Sequence, residues 1–200
     1  MIDATETLRY LYPLPKERAL RKQLSRLDQH CKRFIELTPF VVISSAGGDG
    51  RLDASPRGGE AGFTKVLNDT TLWITDSPGN NRLDSLSNII ETGRIGLLFL
   101  IPGVDETLRV NGRARVTADP VKINAFVTGE RVPKVIIEVA VEEAYLHCAK
   151  ALMRSRLWAD ENRQERSVLP TMGQMINDQI GIRGPAEPQG EMIARYEKDL

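Results

Sequence analysis

The sequence predicts a mainly β domain of about six short antiparallel strands, a β-barrel or an α+β sheet, with helices at its margins. Three observations lead there. Short β-branched and apolar segments alternate with glycine- and asparagine-rich turns, as hairpins do. Residues 95–101 are apolar throughout and stop at Pro102, the pattern of a strand buried on both faces. The helical segments do not alternate one-for-one with the strands, which argues against a parallel Rossmann sheet.

The elements follow in order. Pro13 and Pro15 precede a helix predicted over residues 16–37, where Leu20, Leu24, Leu27, Cys31 and Ile35 recur at steps of three and four. Arg18, Arg21, Lys22, Arg26, Lys32 and Arg33 fill its solvated face. Residues 40–45 and 52–56 flank Gly47-Gly48-Asp49-Gly50 and read as a hairpin. Residues 63–67 and 71–75 flank the turn Asn68-Asp69-Thr70, a second hairpin. After the loop Ser77-Pro78-Gly79-Asn80-Asn81, a short helix turns Leu83, Leu86, Ile89 and Ile90 inward and stops at Gly93. Residues 94–101 form a strand. Residues 107–117 alternate and are interrupted at Gly112, where a bulge or bend is expected. Asp119-Pro120 opens a short helix to about residue 127. Residues 134–141 alternate as a strand. Glu142 and Glu143 lead into a segment through Trp158, and the tail, punctuated by glycine and proline, holds one helix near 172–180.

Composition narrows the function classes. The chain has 200 residues, with 27 basic and 27 acidic ones. It supplies no global basic field, so neither nucleic acid nor an anionic membrane is the expected partner. The start of the chain lacks the basic and apolar stretches of a signal peptide, and no apolar run approaches spanning length. The expectation is a cytoplasmic protein. Cys31 and Cys148 each follow a histidine, yet the spacing matches no zinc pattern. They read as half-buried thiols in a reducing compartment, with no metal site.

No nucleophile elbow, Walker A loop or Gly-x-Gly-x-x-Gly fingerprint occurs. Three polar segments remain as candidates. Asp53 to Gly59 contains Ser55-Pro56-Arg57, a strand end that frees N–H groups beside a cation. In the second segment, Asn80 or Asn81 is expected to cap a helix whose first turn carries Arg82. A cation there opposes the helix dipole, and a bound anion would remove the conflict. In the third, Lys150 and Arg154 lie four apart, with Arg156 and Trp158 beyond them. Such like charges on one helical face accommodate an anion between them, or simply face water.

Read together, several stretches resemble the pyridoxamine 5′-phosphate oxidase-like FMN-binding split barrels over about residues 40–158. They are Asp49-Gly50-Arg51-Leu52-Asp53-Ala54-Ser55-Pro56-Arg57-Gly58, Pro78-Gly79-Asn80-Asn81-Arg82, Gly96-Leu97-Leu98-Phe99-Leu100-Ile101-Pro102-Gly103, Thr107-Leu108-Arg109-Val110-Asn111-Gly112-Arg113-Ala114 and His147-Cys148-Ala149-Lys150-Ala151. The branch they resemble most consists of FMN-dependent enzymes without a settled reaction. The resemblance implies a six-stranded antiparallel split β-barrel of Greek-key type, with peripheral helices. It implies a helical extension over 1–38, an FMN-binding domain over 39–158, and a tail over 159–200 that packs on the barrel or on a dimer partner. It also implies a homodimer with FMN at the interface, acting as an oxidoreductase on a small-molecule substrate.

Matched by position, the resemblance places Ser55, Pro56 and Arg57 along the flavin and its phosphate. Ile74 and Thr75 meet the ring or phosphate. Asn81 and Arg82 grip the phosphate, Thr107 and Arg109 reach the pyrimidine end, and Lys150, Arg154, Arg156 and Trp158 cross to the partner's flavin. No catalytic side chain is assigned. The oxidase itself carries a substrate-phosphate lysine where this chain reads Gly58-Gly59-Glu60, and it ends in a Trp-Arg-Leu-His type of sequence where Trp158 of this chain is followed by Ala159-Asp160-Glu161, with no histidine. A substrate other than pyridoxamine phosphate is therefore implied. A non-enzymatic flavin or haem binder on the same barrel is the first alternative, with His30 and His147 as its only histidine ligands; a cofactor-free dimeric interaction module and a deazaflavin in place of FMN are the others.

Overall fold

Three helices precede the sheet: α1 (Thr5–Leu11), α2 (Glu17–Arg21) and α3 (Gln29–Leu37). The computed structural model describes residues 2, 4–77, 79–127 and 132–198. The single helix expected over 16–37 is thus two. Asp28 starts α3 afresh, its carboxylate accepting the Cys31 N–H at 2.8 Å. Before it, Leu24 exchanges both backbone hydrogen bonds with Ala144, at 2.9 and 2.8 Å, in an isolated bridge. Leu27, Cys31 and Ile35 are buried, but Leu20 is 59% exposed, so the apolar stripe holds only in its second half.

Burial pushes the Asp28 carboxyl up, but the Cys31 N–H bond, helped by His30, outweighs it and holds the group below its ordinary range. A carboxylate depressed in the folded state stabilises above its unfolded pKa and loses that contribution as pH falls through its folded value. Asp28→Ala is therefore expected to cost about 1 kcal/mol at neutral pH. Thermal unfolding of the two proteins should show that difference closing in acid.

The β-rich segments pair into one antiparallel sheet of β1 (Phe40–Ala46), β2 (Leu52–Gly58), β3 (Lys65–Asn68), β4 (Thr71–Thr75), β5 (Arg94–Leu100), β6 (Thr107–Thr117) and β7 (Ile136–His147), in the order β2-β1-β5-β6-β7-β4-β3. The sheet is open and has seven strands where six were expected; β3 is a four-residue edge strand. Both expected hairpins are present. Gly50 turns the first at φ +83°, and the Asn68 side chain accepts the Thr70 N–H at 2.8 Å in the second. One face of the sheet carries the core, with Ile43, Leu72, Ile74, Phe99, Val110 and Val139 fully buried.

The expected bulge lies at Gly112. Asn111 faces Glu143 while Gly112 faces Val141, so Glu142 is the extra residue. The bulge shifts the alternation of β7 by one place. Val141 and Ala144 are both buried, and Glu142 and Glu143 both turn to the other face. This is why β7 runs on to His147 instead of ending at Val141. Beyond Ala140, β4 no longer covers the edge of β7. Leu24 closes that edge, and the Lys22 ammonium donates to the Leu146 carbonyl at 2.7 Å.

Short helices fill the connections: α4 (Asp84–Thr92), α5 (Pro120–Asn124) and α6 (Lys150–Ser155). On α4, Leu86 and Ile89 are buried but Ile90 is 71% exposed; successive residues on a helix point about 100° apart, and Ile89 takes the inward position. Gly93 stops the helix at φ +64°, as expected. Asp119 caps α5, which ends at Asn124, short of residue 127.

The chain divides into two compact units, Met1–Ser155 and Arg156–Leu200. The second holds two 3₁₀ turns and two helices, α7 (Met172–Ile180) and α8 (Gln189–Tyr196). The sequence marked α7 but not α8, whose first turn contains a glycine. Cys31 is buried, and burial pushes its thiol up to about 11. Cys148 is exposed, not half-buried.

Candidate functional site

The sheet curls until strands far apart in its order meet. Arg57 on edge strand β2 faces Asp76, directly after β4, with Nη2 and Oδ1 3.6 Å apart. The two side chains are only 19% and 20% exposed. Alternation puts Ser55 and Arg57 on the core side of β2, opposite Ile43 and Val41, and Pro56 on the other side. Arg57 Nη1 donates to the Ser55 hydroxyl at 2.5 Å and to the Pro56 carbonyl at 2.9 Å. Its Nε–H is buried and has no acceptor among the described residues. Ile74 is fully buried, so only its backbone is available at this seam, and Thr75 follows it at the strand end.

The N-terminus of α4 docks beside them. Ser85 donates to the Asp53 carboxylate at 2.5 Å, tying the helix to β2. The preceding loop departs from the sequence reading. Neither Asn80 nor Asn81 caps the helix; Leu83 is the N-cap, at φ 59°, and no side chain completes the cap. Asn80 instead accepts the Arg82 N–H at 3.0 Å in a local turn, with Asn81 also at φ 59°. Arg82 lies outside the first turn. It pairs with Asp84 at 2.7 Å, and Asp84 is the residue at the helix start, where a carboxylate suits the dipole. The charge conflict expected at Arg82 is thus answered within the chain. Pro78 of this loop lies outside the described residues. Ser55, Arg57 and Asp76 meet in one seam, with Thr75 next to Asp76 in the chain; Asn81 and Arg82 stand in the exposed loop before α4, whose first turn is tied to β2 through Ser85 and Asp53.

Thr107 and Arg109 do not join them. On β6 they occupy the face opposite the core, across from His147 and Tyr145 of β7. Arg109 pairs with Glu143 and lies 5.0 Å from the Tyr145 ring centre. Its Nε–H is likewise buried without an acceptor among the described residues. Glu143 also accepts from Gln23 at 2.7 Å, and Lys22 sits 4.3 Å from the Tyr145 ring centre. His147 meets that ring edge-on at 4.9 Å. Burial, then the charges of Arg109 and Lys22, pull the His147 pKa down and favour its neutral form.

Lys150 and Arg154 are exposed on α6, where Arg154 Nε donates back to the Lys150 carbonyl at 3.0 Å. Arg156 and Trp158 begin the second unit. Arg156 has φ 50° and pairs with Glu161, and Trp158 is half-buried. Sequence reasoning missed Asp76, Glu143, Tyr145 and Lys22. Asp76 directly follows the marked Thr75, and the doubled glutamate facing a strand of arginines was the available signal for Glu143. No helix among the described residues is long and apolar enough to cross a membrane.

A family model described as pyridoxamine 5′-phosphate oxidase matches residues 27–148. No curated protein matches the chain. Among solved structures, the HupZ protein of Group A Streptococcus matches with a TM-score of 0.51 at 18% identity, covering 60% of this chain and 93% of that one. A second structure of HupZ gives 0.50 at 18%, covering 60% and 98%. An FMN-binding protein from Syntrophomonas wolfei gives 0.46 at 12%, covering 72% and 92%. At these identities the likeness to solved structures is one of fold.

Proposed function

The chain belongs to the pyridoxamine 5′-phosphate oxidase family, and from that premise we propose that it is a cytoplasmic FMN-dependent oxidoreductase, working as a homodimer on a small molecule other than pyridoxamine phosphate. One observation carries the reading. Among the described residues, the buried side-chain polar atoms without a partner are Arg57 Nε, Thr64 Oγ1 and Arg109 Nε. Two of these three belong to arginines that the family resemblance assigns to the flavin. A buried donor left unsatisfied costs about 1–3 kcal/mol, and a ligand oxygen within reach of the guanidinium would recover it. The donor set fits a phosphate-bearing flavin.

Arg57, Ser55, Thr75, Asn81, Arg82 and the first-turn N–H groups of α4 would hold the phosphate end. Arg109 and Thr107 lie on the other face of the sheet, so they serve a flavin bound to a second copy of the chain. That division is the reason for proposing a dimer with shared sites. Lys150, Arg154, Arg156 and Trp158 remain candidates for the same crossing. FMN held there would supply hydride-accepting chemistry. Arg109 supplies positive charge, and its neighbour His147 stays neutral. The sequence Gly58-Gly59-Glu60, without a lysine, supports a substrate other than pyridoxamine phosphate.

The purified protein should be yellow, and denaturation should release FMN at about one per chain, as one site per copy requires. A colourless protein that ignores added FMN overturns the reading. Arg82→Ala should weaken FMN binding at least tenfold, from the loss of a charge-assisted contact of about 1.5–3 kcal/mol. Unchanged affinity on titration would remove Arg82 from the phosphate site.

A further inference from the structure

Arg57 is held without being satisfied. Nη1 is taken by Ser55 and the Pro56 carbonyl, Nε has no acceptor, and Nη2 stands 3.6 Å from Asp76, beyond hydrogen-bond length. Asp76 is held by charge alone. Its carboxylate is four-fifths buried, and among the described residues it accepts no hydrogen bond. The cations that act on it are Arg57 of β2 and Lys134, just before β7. Burial pushes the Asp76 carboxyl above its ordinary range, and these two charges only partly offset the effect.

We propose that Asp76 is the resident counter-ion of Arg57, which the phosphate of an incoming ligand displaces. The inference rests on the flavin reading above and assigns that site its competitor and its response to pH. Two anions cannot share one guanidinium in a desolvated seam without repulsion. A phosphate arriving beside Arg57 makes the ionised carboxylate still less favourable, so binding is coupled to proton uptake by the carboxyl wherever the pH lies near its pKa. Each unit by which the ligand raises the Asp76 pKa weakens binding tenfold while Asp76 begins ionised. The sign follows: acidification neutralises the competitor and strengthens binding. Loss of the second phosphate charge near pH 6 acts the other way, equally on wild type and variant, so the ratio of their affinities isolates Asp76. A flavin without a phosphate does not compete for Arg57 and escapes the effect.

The test is the affinity for FMN and for riboflavin, by quenching of flavin fluorescence, in wild type, Asp76→Asn and Asp76→Ala from about pH 8 to about pH 5. Both variants should bind FMN about tenfold more tightly at the alkaline end, for a shift of one unit. The advantage should shrink as the pH falls, and riboflavin affinity should not change. Variants that bind riboflavin like wild type but FMN no more tightly overturn the proposal and make Asp76 a positioning residue for Arg57. Variants that lose both flavins make it structural and also overturn it. If wild type and variants alike bind neither flavin, the flavin reading falls and takes this inference with it.

Discussion

Gly112→Ala is expected to destabilise the protein by more than about 4 kcal/mol, among the largest effects a single methyl group produces. A Cβ at Gly112 would stand 2.1 Å from the Ala140 carbonyl oxygen, 3.0 Å from its carbon and 3.2 Å from the Glu142 nitrogen. All three atoms are backbone, so no side chain can turn aside. Relief requires β6 and β7 to separate where the bulge brings them closest. These strands form an antiparallel ladder from Thr107–His147 to Thr117–Ile136, interrupted only by the bulge at Asn111 and Gly112. For a chain of this size the midpoint of thermal unfolding should fall by roughly 10 °C or more. A variant that melts within about 2 °C of wild type would show that the strands do not approach as described. The effect reaches the site as well. The bulge turns both Glu142 and Glu143 outward, and Glu143 is the carboxylate that fixes Arg109.

Gly112 also shows where sequence reasoning succeeds and where it stops. A glycine inside an alternating strand signals a bulge, because only a missing side chain explains its presence there. What the bulge does to the opposite strand is not written locally. Val139 and Val141 keep one phase, Ala144 takes the other, and the change reads as the end of a strand unless its partner is known. The helix over 16–37 failed in a related way. The spacing of Leu20, Leu24, Leu27, Cys31 and Ile35 is helical throughout, but Leu24 makes its backbone bonds to Ala144, a residue far along the chain. A tertiary bond overrode a local period.

The candidate site divides along the same line. Ser55, Arg57, Thr75 and Arg82 stand on turns and strand ends that local patterns mark well. Asp76 acquires its meaning only when β4 curls round to β2, and no spacing in the sequence expresses that approach. A cation in the first turn would oppose the dipole, but Arg82 lies before the helix begins. Once Leu83 is the N-cap, the charge at the helix start is Asp84, which the dipole favours. The opposite faces of Arg57 and Arg109 are legible from strand alternation only after the register is known.

Arg57→Ala should abolish tight FMN binding, with a loss of at least about a hundredfold from two charge-assisted contacts of about 1.5–3 kcal/mol each. Arg57→Lys should recover only part of it, because an ammonium offers a point charge where the guanidinium offers a planar fork. The substitution has a second consequence that could be mistaken for the first. Removing Arg57 leaves Asp76 with Lys134 as its remaining cation in a seam that still screens it from water. A carboxyl raised above its unfolded pKa gives up stability as pH rises through that interval, and losing Arg57 raises it further. Arg57→Ala alone should therefore be less stable at neutral pH than in mild acid, where Asp76 is protonated. Combining it with Asp76→Asn separates the two effects. The double variant should regain part of the unfolding midpoint and lose the added pH dependence, since the buried carboxylate is gone. It should still fail to bind FMN, since the phosphate has lost its guanidinium. Recovery of FMN affinity in the double variant would mean that Arg57 serves the fold and not the ligand, and the phosphate site would have to be sought away from this seam.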